Sequence, residues 1–198
     1  MQAVVIGVSA GGLKALPMVI GQLPETFSVP IVVVQHLSPE GDHGFLIEYL
    51  NARSPLAVQE GVEREFLQSG HVYLAPANYH LLIEKDRTLA LSVDAKVNYS
   101  RPSIDVLFES AATVYAGALI GVILTGASAD GAQGLSMIRQ MGGLTIVQDP
   151  AGAEIDLMPQ AAIRAARPDY VVTLAGIAGL LEKLVMFQDA DKASTRTT

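Results

Sequence analysis

Ala3-Val4-Val5-Ile6-Gly7-Val8-Ser9-Ala10-Gly11-Gly12 decides how the rest of the chain is read. A short β-branched apolar run ends in Gly-x-Ser-x-Gly-Gly, and a helix-like pattern follows at once from Leu13 to about Gln22. The expected local structure is strand, tight turn, helix. Glycines around Ser9 allow the sharp turn and keep side chains away from an approaching group. A serine so placed is held out at the C-terminal end of a strand, with its own N–H and the next residue's aimed into the same space. Ser9 is therefore a candidate nucleophile. A phosphate-cradling loop at a helix N-terminus has the same outline, as in dinucleotide-binding folds. By shape alone both remain open. The nucleotide fingerprint fits imperfectly, because its second glycine position holds Ser9. It also expects an acid at the end of the second strand, where Ile31-Val32-Val33-Val34-Gln35 runs instead into His36.

The 198 residues suffice for one domain that buries roughly 70% of its unfolded surface. Half the residues are hydrophobic, 17% are charged and the mean hydropathy is +0.36. No apolar run approaches the ~20 residues needed to span a bilayer, so no membrane insertion is expected. No basic, apolar, small-residue signal sequence precedes the first strand. Without cysteine there is no disulfide framework, thiolate nucleophile or thiolate zinc site. A cytoplasmic location is expected. Thirteen basic against twenty acidic side chains give a net charge of −7, and no local basic patch offsets it. Nucleic acid is thus not an expected partner.

Strand and helix patterns alternate along the chain without a fixed repeat. Ile31 to Gln35 is nearly all Val and Ile, as in a parallel strand covered on both faces. The predicted fold is α/β, a doubly wound, mostly parallel sheet with helices on both faces and a small antiparallel annex. A helix is expected from about Gly44 to Asn51. The annex is assigned Ala57-Val58, Val72-Tyr73-Leu74 and Leu81-Leu82-Ile83, with Lys85-Asp86-Arg87 as a hairpin tip leading to Leu89-Leu91. Ser103 then caps a helix reaching about Tyr115, and Leu119 to Leu124 forms another buried strand. A helix from about Ala132 to Met141, a strand from Leu144 to Val147 and a helix from about Pro159 to Arg167 follow. The chain closes with a strand from Tyr170 to Thr173 and a helix from Ile177 to Phe187. Residues 1–187 are read as one domain, and Gln188 to Thr198 as a polar, frayed tail.

Open parallel sheets gather function at the carboxyl ends of their strands. Ser9, His36 and Asp130 all fall there, as nucleophile, base and orienting carboxylate. Imidazole removes the hydroxyl proton, while the carboxylate fixes the ring tautomer and stabilises the imidazolium. Backbone near Ser9, and the loop at Gly126 and Ala127, can supply N–H donors to a tetrahedral oxyanion. His71 inside a strand and His80 in a turn of the annex read as structural or rim histidines. His43, seven residues past His36, sketches a metal site with Asp42, but no third ligand spacing supports one, and no metal is expected. Asp42, Asp105 and Asp149 compete with Asp130. Asp105 lies in the first turn of a helix, where a carboxylate commonly just meets the helix dipole, and its amidation is expected to spare turnover.

The chain resembles the catalytic domain of the bacterial chemotaxis receptor methylesterase family, CheB. The resemblance runs from about Val4 to Leu184. It rests on Gly7-Val8-Ser9-Ala10-Gly11-Gly12, Gln35-His36, Tyr73-Leu74-Ala75-Pro76 with His80, and Arg101-Pro102-Ser103-Ile104-Asp105-Val106-Leu107-Phe108. Leu124-Thr125-Gly126 with Asp130-Gly131-Ala132, and Gln148-Asp149 with Met158-Pro159, complete it. It implies that Ser9, His36 and Asp130 match the family's catalytic serine, histidine and aspartate, with Ala10 and Ala127 as backbone oxyanion donors. The implied reaction is hydrolysis of γ-glutamyl methyl esters on chemoreceptor cytoplasmic helices, with deamidation of particular glutamines alongside. No cofactor is implied.

Some positions depart from the family pattern. Ala10 stands where the family commonly has Thr, and Gly126-Ala127-Ser128 where it commonly has Gly-Met-Gly. Backbone donation survives both changes. The family's usual N-terminal receiver domain has no counterpart in this chain, so Ser9 is expected to be open to substrate without phosphorylation. The alternative is a CheB-like binding or scaffolding module that keeps the fold and uses the rim differently.

Overall fold

The computed structural model describes residues 1–36 and 43–194, without the side chains of His43 and of residues 187–194. Its centre is a seven-stranded, wholly parallel sheet in the order β3-β4-β2-β1-β7-β8-β9. The strands are β1 (Ala3–Val8), β2 (Ile31–Gln35), β3 (Ala57–Glu60), β4 (His71–Leu74), β7 (Leu119–Ile123), β8 (Leu144–Gln148) and β9 (Tyr170–Val172). The remaining two, β5 (His80–Ile83) and β6 (Leu89–Ser92), form a separate antiparallel hairpin. The helices are α1 (Gly12–Ile20), α2 (His43–Asn51), α3 (Ile104–Tyr115), α4 (Ala132–Gln140), α5 (Leu157–Ala166) and α6 (Leu174–Ser194). The doubly wound α/β architecture is the one anticipated.

Two cores lie on opposite faces of the sheet, as the two-residue period of a strand requires. Val4, Ile6 and Val8 of β1 pack with Leu16, Val19 and Ile20 of α1 and with Ile177 and Leu181 of α6. Ala3 and Val5 face the other way, toward Ile104, Leu107 and Phe108 of α3, Leu135 and Ile138 of α4, and Ala162 of α5. Alternation of large and small residues sets the register of β1. A Cβ on Gly7 would come within 2.4 Å of the Ile104 side chain. Shifting the strand by one residue would bring a β-branched side chain to that spot, at the cost typical of overpacking, about 1–3 kcal/mol or more. This close approach brings the N-terminus of α3 over the end of β1.

The annex is smaller than the sequence suggests. Ala57-Val58 and Val72 to Leu74 belong to the parallel sheet as β3 and β4, with Ala57 opposite His71 and Glu60 opposite Leu74. The misassignment has a physical origin: a parallel pair ordinarily declares itself by a crossover helix, and residues 61–70 contain none. His80 is the first residue of β5 rather than part of a turn. The last helix starts earlier than expected, at Leu174, and continues past Phe187 to Ser194. Residues 195–198, and Asp42 of the metal sketch, lie outside the described residues.

Candidate active site

Crossovers leave β1 toward β2 on one side and arrive at β7 on the other, so the carboxyl end of β1 is the switch point of the sheet, where open α/β folds bind ligands. Ser9 follows β1 directly. His36 follows β2, held by its N–H on the Val8 carbonyl at 3.0 Å. Asp130 comes from the loop between β7 and α4. The turn after β1 closes through the Gly12 N–H on the Ser9 carbonyl at 3.0 Å, with Gly11 at φ +86°, a conformation glycine adopts without penalty. The Ser9 N–H does not face the open rim, because it is donated to the Thr125 carbonyl at 3.0 Å. Gly126 is likewise occupied, donating to Ile155 O at 3.1 Å. Ala10 and Ala127 are exposed, and neither N–H has a partner among the described residues.

The His36 Nε2–H donates to Asp130 Oδ2 at 2.8 Å, with the histidine side chain 12% exposed and the aspartate fully buried. A buried carboxylate without partners would be costly, and this one is surrounded by donors. The Ile104 N–H reaches Oδ2 at 2.7 Å, while Ser103 Oγ at 2.8 Å, the Asp105 N–H at 3.2 Å and Asn98 Nδ2 at 3.2 Å reach Oδ1. Ile104 and Asp105 are the first residues of α3, so its positive end also faces the charge. Burial pushes the Asp130 pKa up, but hydrogen bonds from His36, Ile104, Ser103 and Asn98 outweigh it, and the net direction is down. Asp130 is thus an ionised acceptor, and Nε2 of His36 carries the proton in this bond.

Sequence reasoning missed Gln35 and Asn98. The buried Gln35 amide donates to the Ser9 carbonyl at 2.9 Å and to the His36 carbonyl at 2.7 Å, tying the backbone of two site residues together. Its Oε1 has no hydrogen-bond partner among the described residues and lies against Gly12, where a Cβ would fall 1.7 Å away. Polar Gln35 at the end of an otherwise apolar strand was the available signal. Gln35→Glu sets an oxygen against two carbonyl oxygens, and Gly12→Ala drives the side chain out of place. Both are expected to lower kcat on the order of 10²-fold, the scale of an ångström's misplacement. Steady-state kinetics alongside thermal unfolding tests this; wild-type kcat in both folded variants would exclude the clamp.

Asp105 is not merely a dipole partner. It is buried, with Oδ1 accepting the Gly134 N–H at 2.7 Å and Oδ2 accepting Asn98 Nδ2 at 2.8 Å, beside Asp130. Burial first, then the charges of Asp130 and Glu109, raise its pKa to about 6 against the hydrogen bonds from Gly134 and Asn98. Asp149 instead caps a local turn through the Ala151 N–H at 3.0 Å. His80 is buried, accepting the Ser103 N–H on Nδ1 at 3.2 Å and donating Nε2–H to Ala95 O at 3.1 Å, so it supports the start of α3. His71 is half-buried, with Nδ1 3.1 Å from Ser69 O. Among the described residues no group of three or more His, Cys, Asp or Glu could hold a metal ion, and no helix is long and apolar enough to cross a membrane.

A parallel doubly wound sheet with a serine, a histidine and a buried aspartate gathered at its switch point defines the class of α/β protein. The CheB methylesterase family model matches residues 4–181. The chain belongs to that family. The crystal structure of the Thermotoga maritima CheB methylesterase catalytic domain superposes with a TM-score of 0.89 at 36% identity, covering 92% of this chain and 98% of that one. A Leptospira interrogans relative, provisionally named a protein-glutamate methylesterase/protein-glutamine glutaminase, is 53% identical across 92% of this chain and 94% of its own length. One from Trichodesmium erythraeum, carrying that name without qualification, is 38% identical over 90% of this chain but only 51% of its own.

Proposed function

We propose that this protein is a hydrolase that removes methyl esters from glutamate side chains of chemoreceptor cytoplasmic helices, in the cytoplasm, and deamidates particular glutamines through the same site. The unit responsible is residues 1–187. The observation that carries the reading is the His36–Asp130 hydrogen bond, made next to Ser9 at the sheet's switch point. The fold and relatives fit this chemistry, and nothing in the steps below calls for a cofactor.

Ser9 Oγ attacks the ester carbonyl while His36 Nδ1 takes the hydroxyl proton, and Asp130 stabilises the resulting imidazolium. The oxyanion is held by the Ala10 and Ala127 N–H groups. His36 then gives its proton to the departing methoxide, which leaves as methanol and closes an acyl-enzyme ester on Ser9. Water, deprotonated by His36, attacks that ester, Ser9 recovers its proton, and a glutamate carboxylate is left. A glutamine substrate follows the same path with ammonia as the leaving group.

Methanol release from a methylated chemoreceptor tests the reading. In this reaction His36 must be a neutral imidazole to accept the serine proton. His36→Gln should nearly abolish turnover, while a His80 or His71 change acts mainly through stability. A well-folded His80→Gln protein as inactive as His36→Gln would overturn the assignment of the base.

A further inference from the structure

The turn before α3 reaches the site from an unexpected direction. Val97 and Ser100 exchange N–H to carbonyl bonds at 3.1 and 2.8 Å around Asn98 and Tyr99, both at positive φ (49° and 64°). Positive φ at both central residues is the usual geometry of such a two-residue turn, and asparagine adopts it readily. Tyr99 is 97% exposed. Asn98 is exposed too, yet its amide nitrogen is bonded at once to Asp105 Oδ2 at 2.8 Å and Asp130 Oδ1 at 3.2 Å. A single solvent-facing amide therefore bridges two buried carboxylates, one of which orients His36.

Both oxygens of Asp105 face donors, Asn98 on one side and the Gly134 N–H on the other. The ionised form accepts both bonds at full strength; a proton on Oδ2 turns that oxygen into a donor with reduced acceptor capacity and weakens the bond from Asn98. We propose that Asn98 and Asp105 are positioning residues for the triad: the amide bridge keeps Asp130 aligned with His36 while Asp105 is ionised, and is weakened when Asp105 takes a proton. This rests on the hydrolase reading above.

The charged and titratable neighbours of Asp105 are Glu109 on its own helix, Asp130 with His36 behind it from the strand ends, and His80 of β5 near the start of α3. Arg164 of α5 shares the cleft that Asp105 and Asn98 line. The ionisation of Asp105 is raised from 3.8 to about 6, burial being the main cause, so the bridge assembles as the pH rises through that region. The sign for stability is the opposite. A carboxyl whose folded pKa is raised supports the fold at low pH and withdraws that support as pH rises through the folded value. Asp105→Asn escapes that loss, so its Tm at pH 8 should be no lower than wild type.

The test is kinetic and spectroscopic. Asn98→Ala and Asp105→Asn should each lower kcat for methanol release from methylated chemoreceptor by about 10-fold, the scale usual for outer partners of a catalytic group, with KM unchanged. The acid side of the wild-type profile should be steeper than loss of one proton allows, and both variants should return to a single-proton slope. The proton in the His36–Asp130 hydrogen bond, followed by NMR without substrate, should show a shift as pH crosses about 6 in wild type beyond any shift from protonation of His36 itself, and that extra shift should be missing in Asn98→Ala. Wild-type kcat, slope and resonance in both folded variants would overturn the proposal. So would a loss confined to Asp105→Asn and accompanied by a fall in Tm. If the hydrolase reading itself fails, Ser9→Ala keeps turnover while the NMR measurement still decides on the bridge.

Discussion

Ser9→Ala is expected to lower kcat on the order of 10⁶-fold, the scale of removing a triad nucleophile, while leaving the fold in place. The hydroxyl sits in a rim turn whose shape is held by backbone. The Ser9 N–H on Thr125, the Gly12 N–H on Ser9 and the Gln35 amide on the Ser9 carbonyl all survive the change. Thermal unfolding should therefore move little. Residual activity would come from the Ala10 and Ala127 N–H groups and from substrate binding, which polarise the ester without a nucleophile. An activity-directed serine reagent should label intact wild type at Ser9, found by peptide mapping, and leave the alanine variant unlabelled. Methyl-ester turnover at the wild-type rate by the folded variant would remove Ser9 from the mechanism. It would then favour a scaffolding role for the family fold here.

Asp130→Asn should have the next largest effect, about 10⁴-fold in kcat, and unlike the serine change it should also cost stability. Every contact made by the Asp130 oxygens is one of acceptance: from His36 and Ile104 on Oδ2, and from Ser103, Asp105 and Asn98 on Oδ1. An amide must turn its NH₂ toward one of these sets. Facing His36, it forces the imidazole into the wrong tautomer; facing Oδ1's partners, it leaves the start of α3 unsatisfied. Each unmet buried donor costs about 1–3 kcal/mol, so a fall in Tm should accompany the loss of turnover. Near-wild-type kcat in this variant would mean that the carboxylate plays no part in orienting the base.

Much of this was legible in the chain because each signal was local. β-branched runs announced the central strands, Gly-x-Ser-x-Gly-Gly announced the turn, and His36 stood where a strand had to end. What was hidden depended on distance. No crossover helix separates β3 from β4, so their parallel pairing with each other, and that of β4 with β2, left no trace in the pattern. The Ser9 N–H looked available until Thr125 arrived from the loop after β7, more than a hundred residues away. Asp105 resembled any carboxylate in a first helical turn, and only the fold shows that Asn98 and Gly134 converge on it beside Asp130. Asn98, a polar residue in a polar turn, carried no distinguishing mark at all.

The position of β1 between β2 and β7 also governs when activity can first appear during synthesis. Nucleophile and base come from strands that neighbour each other early in the chain, whereas the aspartate lies 94 residues beyond His36 and enters only with β7 and α4. A nascent chain emerging from the ribosome carries Ser9 and His36 while its central strand still has an open edge where β7 will dock. Until that edge is closed, the imidazole has no buried carboxylate to bond. On the function proposed above, a truncated product that stalls before β7 lacks the group that orients the base, and full hydrolysis waits for β7 and α4.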